Sequence, residues 1–315
     1  MKLSVIIANF NGEKWLKLCL QSVLREKGKW LEVIVIDDGS NDDSVELFKE
    51  ILEKNKRVKL IELKENKGSA KARNLGVKKS KGKYLLFLDV DTEVKKGALK
   101  KLTERLESDR KIGAVQAKLD TCGHFLSWWG LPYEVNKPQK VIFGGRTAGL
   151  AVKRKVFEKI SGFDEDYFIY GEDTDLCWRI WLAGFRVEHE DKAVIKHWGK
   201  SSLSSKTRER IYYEGAKNGL SNILKNADKN MIWWMVWLNF MAWVVIWLKL
   251  VLTGGIKAAT AVGRGWWWNV INFRKTMRKR KQVVRAKDNQ AGEVMFGKMK
   301  LSDLVKKGIK WLNEV

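Results

Sequence analysis

Residues 84–91 read YLLFLDVD, an unbroken apolar run that ends in two carboxylates with one valine between them. A strand with one wet face alternates apolar and polar positions, whereas a strand covered on both faces is apolar throughout, and this run has the second pattern. It predicts a central strand of a sheet with helices on both sides. Runs of the same kind stand at 3–8, 32–37, 58–63 and 114–119. Between the first two lies GEKWLKLCLQSVLREK, in which Trp15/Leu16, Cys19/Leu20 and Val23/Leu24 recur every four residues along one helical face. A second helical stretch at 70–79 precedes the run at 84. Strand and helix alternating in this order predict right-handed crossovers and a doubly wound, mostly parallel α/β sheet.

In such sheets ligands bind at the carboxyl ends of the strands, so the residues that end each run are the candidates for a site. They are Asn9-Phe10-Asn11, Asp37-Asp38-Gly39-Ser40 and Asp89-Val90-Asp91. Two carboxylates at one strand end repel each other unless a cation joins them, and hard oxygen ligands suit Mg2+ or Mn2+. The same pair can also cap a following helix, and Asp38 before a glycine can serve as a turn residue. Glu172-Asp173-Thr174-Asp175 opens a helical stretch, where free N–H groups and the helix dipole favour acids. Asp175 and Arg179, four apart, have the spacing of a helix ion pair. His197 follows the strand-like 193–196 and reads as a ligand or as a satisfied structural histidine, while His124 and His189 read as structural.

The 315-residue chain is long enough for one substantial core and a smaller appendage. Its 45% hydrophobic and 31% charged composition excludes a globally disordered chain. Sixty-one basic against 37 acidic residues leave a net charge of +24, so its partners are expected to be anionic. Three cysteines with no CxxC spacing argue against a disulfide scaffold. The apolar run at 3–8 is too short for a signal peptide and reads as a first strand. The following turn, ANFNGEK, lacks the GxGxxG of a dinucleotide-binding dehydrogenase.

Composition changes near Asn230. Residues 231–252, MIWWMVWLNFMAWVVIWLKLVL, carry one charge, Lys249, and one amide, Asn239, and are long enough to cross a bilayer. Trp233, Trp237, Trp243, Trp247 and Trp266-Trp267-Trp268 are rings suited to a membrane interface. Residues 274–287 add eight basic side chains and no acid, a run that attracts anionic headgroups at about 1 kcal/mol per charge. The interval 254–271 is too polar and glycine-rich for a second span, which favours a helix lying in one leaflet over a true crossing. Because the densest basic run adjoins the tryptophans, a membrane and not nucleic acid is the expected anionic surface. The expected division is 1–225 for a catalytic domain and 226–315 for a membrane-associated helical segment, with contact through 231–287 and the catalytic domain facing the cytoplasm.

Taken in order, VIIANFN (5–11), VIDDGS (35–40), NKGSAKARN (66–74), LDVD (88–91), the stretch GGRTAG to GFRV (144–187) and AVIKHWGKSS (193–202) make a pattern. It resembles the family 2 glycosyltransferases with the GT-A fold, over roughly residues 2–205, and within them the rhamnosyltransferase-like branch. The resemblance implies a nucleotide-sugar donor, a divalent metal and transfer with inversion to an acceptor hydroxyl on a saccharide or lipid-linked glycan. A polyprenyl-phosphate sugar synthase, with a lipid phosphate as acceptor, is the alternative within the same resemblance. It further implies that Asp38 accepts a hydrogen bond from the base, that Ala8, Asn9, Phe10 and Val90 line the donor pocket, and that Arg73 lies near the base or diphosphate. Asp91, supported by Asp89, would meet the metal, with His197 completing its coordination. Asp173 would be the catalytic base, oriented by Glu172, and residues 122–140 would contact the acceptor.

Overall fold

A computed structural model describes residues 3–26, 30–52, 55–199 and 205–297. In chain order the first half runs β1 (Leu3–Asn9), α1 (Glu13–Leu24), β2 (Trp30–Asp37), α2 (Ser44–Leu52), β3 (Val58–Glu62), α3 (Ser69–Lys79), β4 (Tyr84–Asp89), β5 (Thr92–Val94), α4 (Ala98–Ser108) and β6 (Ile112–Lys118). A small hairpin, β7 (His124–Leu126) and β8 (Pro132–Glu134), leads to β9 (Leu150–Lys153), α5 (Arg154–Lys159), α6 (Glu172–Leu182) and β10 (Arg186–His197). Helices α7 (Ser205–Asn226), α8 (Ile232–Leu252), α9 (Ile256–Ile271), α10 (Phe273–Gln282) and α11 (Ala291–Val294) complete the described chain.

The main sheet has the order β3-β2-β1-β4-β9-β6-β10-β5. Strands β1 to β4 pair in parallel, and β9 enters between β4 and β6 in the opposite sense. The physical reason for the continuous apolar runs is visible in β1. Alternate side chains of a strand face opposite sides: Ile6 joins one core with Ile34, Phe87 and Trp178, while Val5 and Ile7 join the other with Leu16, Leu20 and Leu102. Each such side chain contributes about 1.5–3 kcal/mol on burial, so neither face can tolerate a polar residue cheaply.

Strand β10 is the element that closes the site. Its first part pairs in parallel with β6, a register shift follows between Glu190 and Val194, and its end pairs antiparallel with β5, which sets His197 opposite Thr92. The shift redirects the strand toward the carboxyl end of β4. Several elements escape a reading of apolar runs, among them the helices α2 and α4 and the four-residue β9.

The helices after 226 do not stand apart from the rest. Met235, Ala291 and Met295 are buried in the same core as Trp178 and Ile223. A separate cluster joins Tyr212 and Ala216 of α7 to Trp243 and Ile246 of α8 and Ala261 and Val262 of α9. Gly265 permits the closest approach, since a Cβ there would stand 2.6 Å from the Tyr213 carbonyl oxygen. Residues 298–315 of the expected tail lie outside the described residues.

The basic stretch 274–287 is also partly spoken for. Lys275 Nζ lies 2.6 Å from Asp166 Oδ1, and Lys279 bonds both Asp164 and Asp166. Arg280 Nη1 donates to the Leu224 carbonyl at 3.0 Å, and Arg285 Nη2 to that of Asn226 at 2.9 Å. These charges complement the carbonyl-rich C-terminus of α7 and a pair of acids before α6. Arg274, Arg278, Lys281 and Lys287 remain exposed and available to an anionic surface.

Candidate active site

The carboxyl ends of β1, β2 and β4 meet at one edge, and hydrogen bonds sew their loops together. Asn9 Nδ2 donates to Asp37 Oδ2 at 2.7 Å and to Ser40 Oγ at 3.2 Å. Asn11, at a φ of 52°, accepts from the Asn41 N–H at 2.8 Å, while its own N–H donates to Ser40 Oγ at 2.9 Å. Phe10 projects from this turn, 46% exposed, and Ala8 packs beneath it against the core. Val90 is half-buried and stands over Gly12, where a Cβ would come within 2.5 Å of it.

Asp38 is 4% exposed and takes two backbone bonds, from Lys67 N–H at 2.8 Å and Gly68 N–H at 2.9 Å. Burial nevertheless raises its pKa above the ordinary value, with Asp37 adding to the rise. It thus fixes the loop 66–68 that opens α3. Gly68 is required there: its φ is 89°, and a Cβ would stand 2.5 Å from the Phe168 carbonyl oxygen. Asp38 carries further lone pairs, so this structural use leaves it able to accept another donor.

Arg73, on α3, is the junction of the site. Its Nη2 donates to Asp89 Oδ1 at 2.5 Å and its Nη1 to Glu172 Oε1 at 2.9 Å. The guanidinium is 3% exposed and lies over the Phe163 ring at 5.9 Å. Burial works against the cation, but the two carboxylates outweigh it and hold Arg73 above its ordinary value. One side chain therefore binds together the strand-end acid pair and the acids at the start of α6, segments far apart in sequence.

Glu172 also accepts from Ser69 Oγ at 3.2 Å, and its Oε2 is buried without a partner. Burial, with Asp173 beside it, pushes Glu172 up to about 7 despite Arg73. Asp173 is half-buried, accepts the Thr174 N–H at 2.6 Å, and is likewise raised, by burial first, while Arg146 and Arg73 oppose the rise. Thr174 Oγ1 lies 3.2 Å from His124 Nε2, and burial lowers His124 to about 3, so that ring stays neutral. Two residues further on, Asp175 does form the expected helix pair, with Arg179 Nε at 2.8 Å, and also meets Lys225 at 2.7 Å.

On the other side of Arg73, Asp91 Oδ1 lies 3.3 Å from His197 Nε2, and its Oδ2 accepts the Gly199 N–H at 3.1 Å. Burial disfavours the Asp91 charge, but His197 and this N–H more than compensate and keep it below the ordinary range. The end of β10 is locked in place: Trp198 N–H donates to the Asp91 carbonyl at 3.0 Å, and its ring stacks on Trp15 at 5.2 Å. Ligand atoms of Asp89, Asp91 and His197 all lie within 4.8 Å of one another. Two carboxylates and an imidazole at that separation suit a hard or borderline divalent cation, with Asp89 keeping its second oxygen free of Arg73. Residues 200–202, the end of the 193–202 motif, lie outside the described residues.

The structure thus brings Asp89, Asp91, His197, Arg73, Glu172 and Asp173 to one region, bordered by Asn9, Phe10 and Asp38. Ser69, Thr174 and Arg146 are the site residues that strand-end reasoning passed over. Arg146, in the 144–149 motif, bonds Asp120 at 3.2 Å and also Glu134, and its charge reaches both Asp173 and His197. Its signal was an arginine directly after two glycines, a place where backbone and charge can approach a ligand together.

Comparison with known proteins agrees with this architecture. The chain is 26% identical over 240 residues to the poly-beta-1,6-N-acetyl-D-glucosamine synthase of Staphylococcus aureus, covering 73% of this chain and 57% of that one. It therefore spans little more than half the length of that curated relative. Among solved structures, Staphylococcus aureus TarS with UDP-GlcNAc superposes with a TM-score of 0.59 at 20% identity, over 84% of this chain and 80% of that chain. The mannosyltransferase PcManGT of Pyrobaculum calidifontis, in complex with GDP-Man and Mn2+, has a TM-score of 0.59 at 16% identity, over 90% and 85% of the two chains. These likenesses establish a shared GT-A fold. Residues 4–170 match the sequence profile of glycosyl transferase family 2, and the chain belongs to that family.

Proposed function

We propose that the protein is an inverting transferase that moves a sugar from a nucleoside-diphosphate donor to an acceptor hydroxyl with the help of a divalent metal. The observation that carries this reading is Arg73, whose two ion pairs place the metal-type donor set of Asp89, Asp91 and His197 beside the Glu172–Asp173 pair. Ala8, Asn9, Phe10, Asp38 and Val90 border the space for the nucleotide. In the reaction the acceptor oxygen attacks the anomeric carbon, the bond from that carbon to the diphosphate oxygen breaks, and Asp173 receives the hydroxyl proton. When bound, Mg2+ or Mn2+ would supply charge neutralisation for the leaving diphosphate. The ligands of the similar structures, UDP-GlcNAc in one and GDP-Man with Mn2+ in the other, support this donor and metal class. The sequence pattern of the rhamnosyltransferase-like branch and the poly-GlcNAc relative point to different sugars, so hexosyl and deoxyhexosyl donors both belong in the test.

That test is thermal unfolding with UDP-, GDP- and dTDP-sugars. One donor is expected to raise the melting temperature only when Mg2+ or Mn2+ is present, by about 2.7 kcal/mol of added stability at a hundred times its Kd. Asp91→Ala should erase the metal-dependent part. No response to any donor with metal would overturn the assignment.

We further infer that residues 226–315 serve the 1–225 transfer domain as a membrane anchor lying in the interface, with the catalytic domain on the cytoplasmic side. Helix α8 is long and apolar enough to cross a bilayer, but one stripe of it, Met235, Asn239, Trp243, Ile246 and Leu250, is covered by the rest of the protein. Its neighbour α7 carries buried Glu214 and Lys217, charges that would be costly at bilayer depth. The opposite side presents Trp233 (81% exposed), Trp237 and Leu252, continued by Ile256, Trp267 and Ile271 of α9. Asn239 Nδ2 donates to the Trp129 carbonyl at 2.8 Å, which ties this platform to the 122–140 segment and supports a lipid-linked acceptor. Replacing Trp233 and Trp237 together by Glu should reduce partitioning onto anionic vesicles by at least about a hundredfold, from about 1.5–3 kcal/mol per large apolar side chain. Unchanged flotation of that double variant would remove the interfacial reading.

A further inference from the structure

We propose that Cys122, His189 and Asp191 form a second cation site, suited to Zn2+, which fastens the acceptor-side loop to β10. The candidate ligand atoms of these three residues lie within 4.8 Å of one another. Cys122 is 3% and His189 6% exposed, and neither ring nitrogen of His189 has a hydrogen-bond partner. An imidazole buried with both nitrogens idle is uncommon in a folded protein and asks for an unseen partner. His189 Nε2 stands 3.8 Å from Asp191 Oδ1. That gap is too long for a hydrogen bond, but two ligands at about 2.1 Å from one tetrahedral ion stand about 3.4 Å apart.

The donor set distinguishes this site from the one at Asp89, Asp91 and His197. A thiolate with an imidazole and one carboxylate selects a borderline or soft ion, whereas two carboxylates and an imidazole favour a harder one. On binding, the thiol releases its proton to solvent and a sulfur–metal bond forms, His189 binds through Nε2, and water fills the fourth position. Two contacts must yield. Cys122 Sγ now donates toward the Asn136 carbonyl at 3.6 Å, a weak bond, and Lys118 holds Asp191 at 2.8 Å. Lys118 and Asp191 are 41% and 48% exposed, and an ion pair so open to water gives way to a divalent cation.

The place of the cluster explains what the ion would do. Cys122 lies where the chain leaves β6 for the β7–β8 hairpin, and the His189 N–H meets the carbonyl of Lys140 at the far end of the same loop, 3.0 Å away. Asp191 sits in the register shift of β10, on the strand that ends at His197. An ion here ties both ends of the loop to the strand that delivers His197.

Co2+ titration of the full chain tests this, in an Asp91→Ala background that removes the other candidate site. The expected result is a thiolate-to-cobalt charge-transfer absorption that saturates at one equivalent and disappears when Zn2+ is added. Adding Cys122→Ser should abolish the band, and adding His189→Asn should weaken Co2+ binding by at least the roughly tenfold that loss of a mere supporting partner costs. Both variants should keep the far-ultraviolet circular dichroism of the parent. Absence of the band in the Asp91→Ala protein, or its survival in Cys122→Ser, would overturn the site; a band that Zn2+ leaves in place would overturn the choice of ion.

Discussion

Asp173→Asn is expected to lower kcat by about 10² to 10⁴, the usual worth of a positioned proton acceptor, with little change in the melting temperature. The replacement is isosteric, and its carbonyl oxygen can still accept the Thr174 N–H that Asp173 Oδ1 accepts at 2.6 Å. A hydroxyl acceptor requires the base in its ionised form, so the rate should climb with pH. Burial raises Asp173, and its neighbour Glu172 to about 7, so the acid limb should lie above the ordinary carboxylate range. The pH profile of kcat/KM reads this directly. Near-normal transfer by Asp173→Asn would instead mean that the acceptor carries its own negative charge, as a lipid phosphate does.

Arg73→Met is expected to be the most damaging change to stability. Removing one partner of a buried ion pair leaves an uncompensated charge and costs about 3–5 kcal/mol. The lower end applies here. Asp89 is one-third exposed, and Glu172, already near 7, can take up a proton once its cation is gone. The melting temperature should fall on the order of 5–10 °C. The pH dependence has a definite sign. Glu172 binds its proton more tightly folded than unfolded, so its contribution is fully present below its unfolded value of 4.5 and is lost as pH rises through about 7. Without Arg73 that window should extend to higher pH, and unfolding measured from pH 5 to 9 would show it. A variant as stable as the parent throughout would mean that Arg73 does not join the two halves of the site.

The central parallel strands were legible because burial on both faces favours apolar side chains, as Val5, Ile6 and Ile7 show, and admits polar ones chiefly when paired, as Ser4 is with Glu32; the edge strand β3 leaves Lys59 and Glu62 in solvent. The ends of β1, β2 and β4 followed from the topology of such sheets. Strand β9 was not legible: LAVK is too short to carry a period, and its antiparallel place is set by neighbours. Helix α2 lay in a stretch where no apolar run drew attention. At the site, the residue types were readable but their pairing was not. That Arg73 would join Asp89 to Glu172, or that Thr174 would touch His124, depends on contacts between distant segments. The basic stretch 274–287 shows the same limit, because its charge content was readable while Asp164, Asp166 and the end of α7 decided which cations face inward.

Ion pairs from α7 and α10 to α6 and to the acids before it make the C-terminal helices part of the footing of the segment that carries Asp173. Lys225 is shared by Asp164 and Asp175, at 2.6 and 2.7 Å, and Lys279 braces Asp164 from the opposite side. A chain cut after Asn226 would keep every residue of the candidate site, yet it would strip two counter-ions, Lys275 and Lys279, from the acids that precede the helix holding Asp173, and it would lay bare the apolar seat of Met235 and Met295. Such a truncation would be a destabilised protein, because the same C-terminal helices that carry the exposed tryptophans also hold the footing of the Asp173 helix in place.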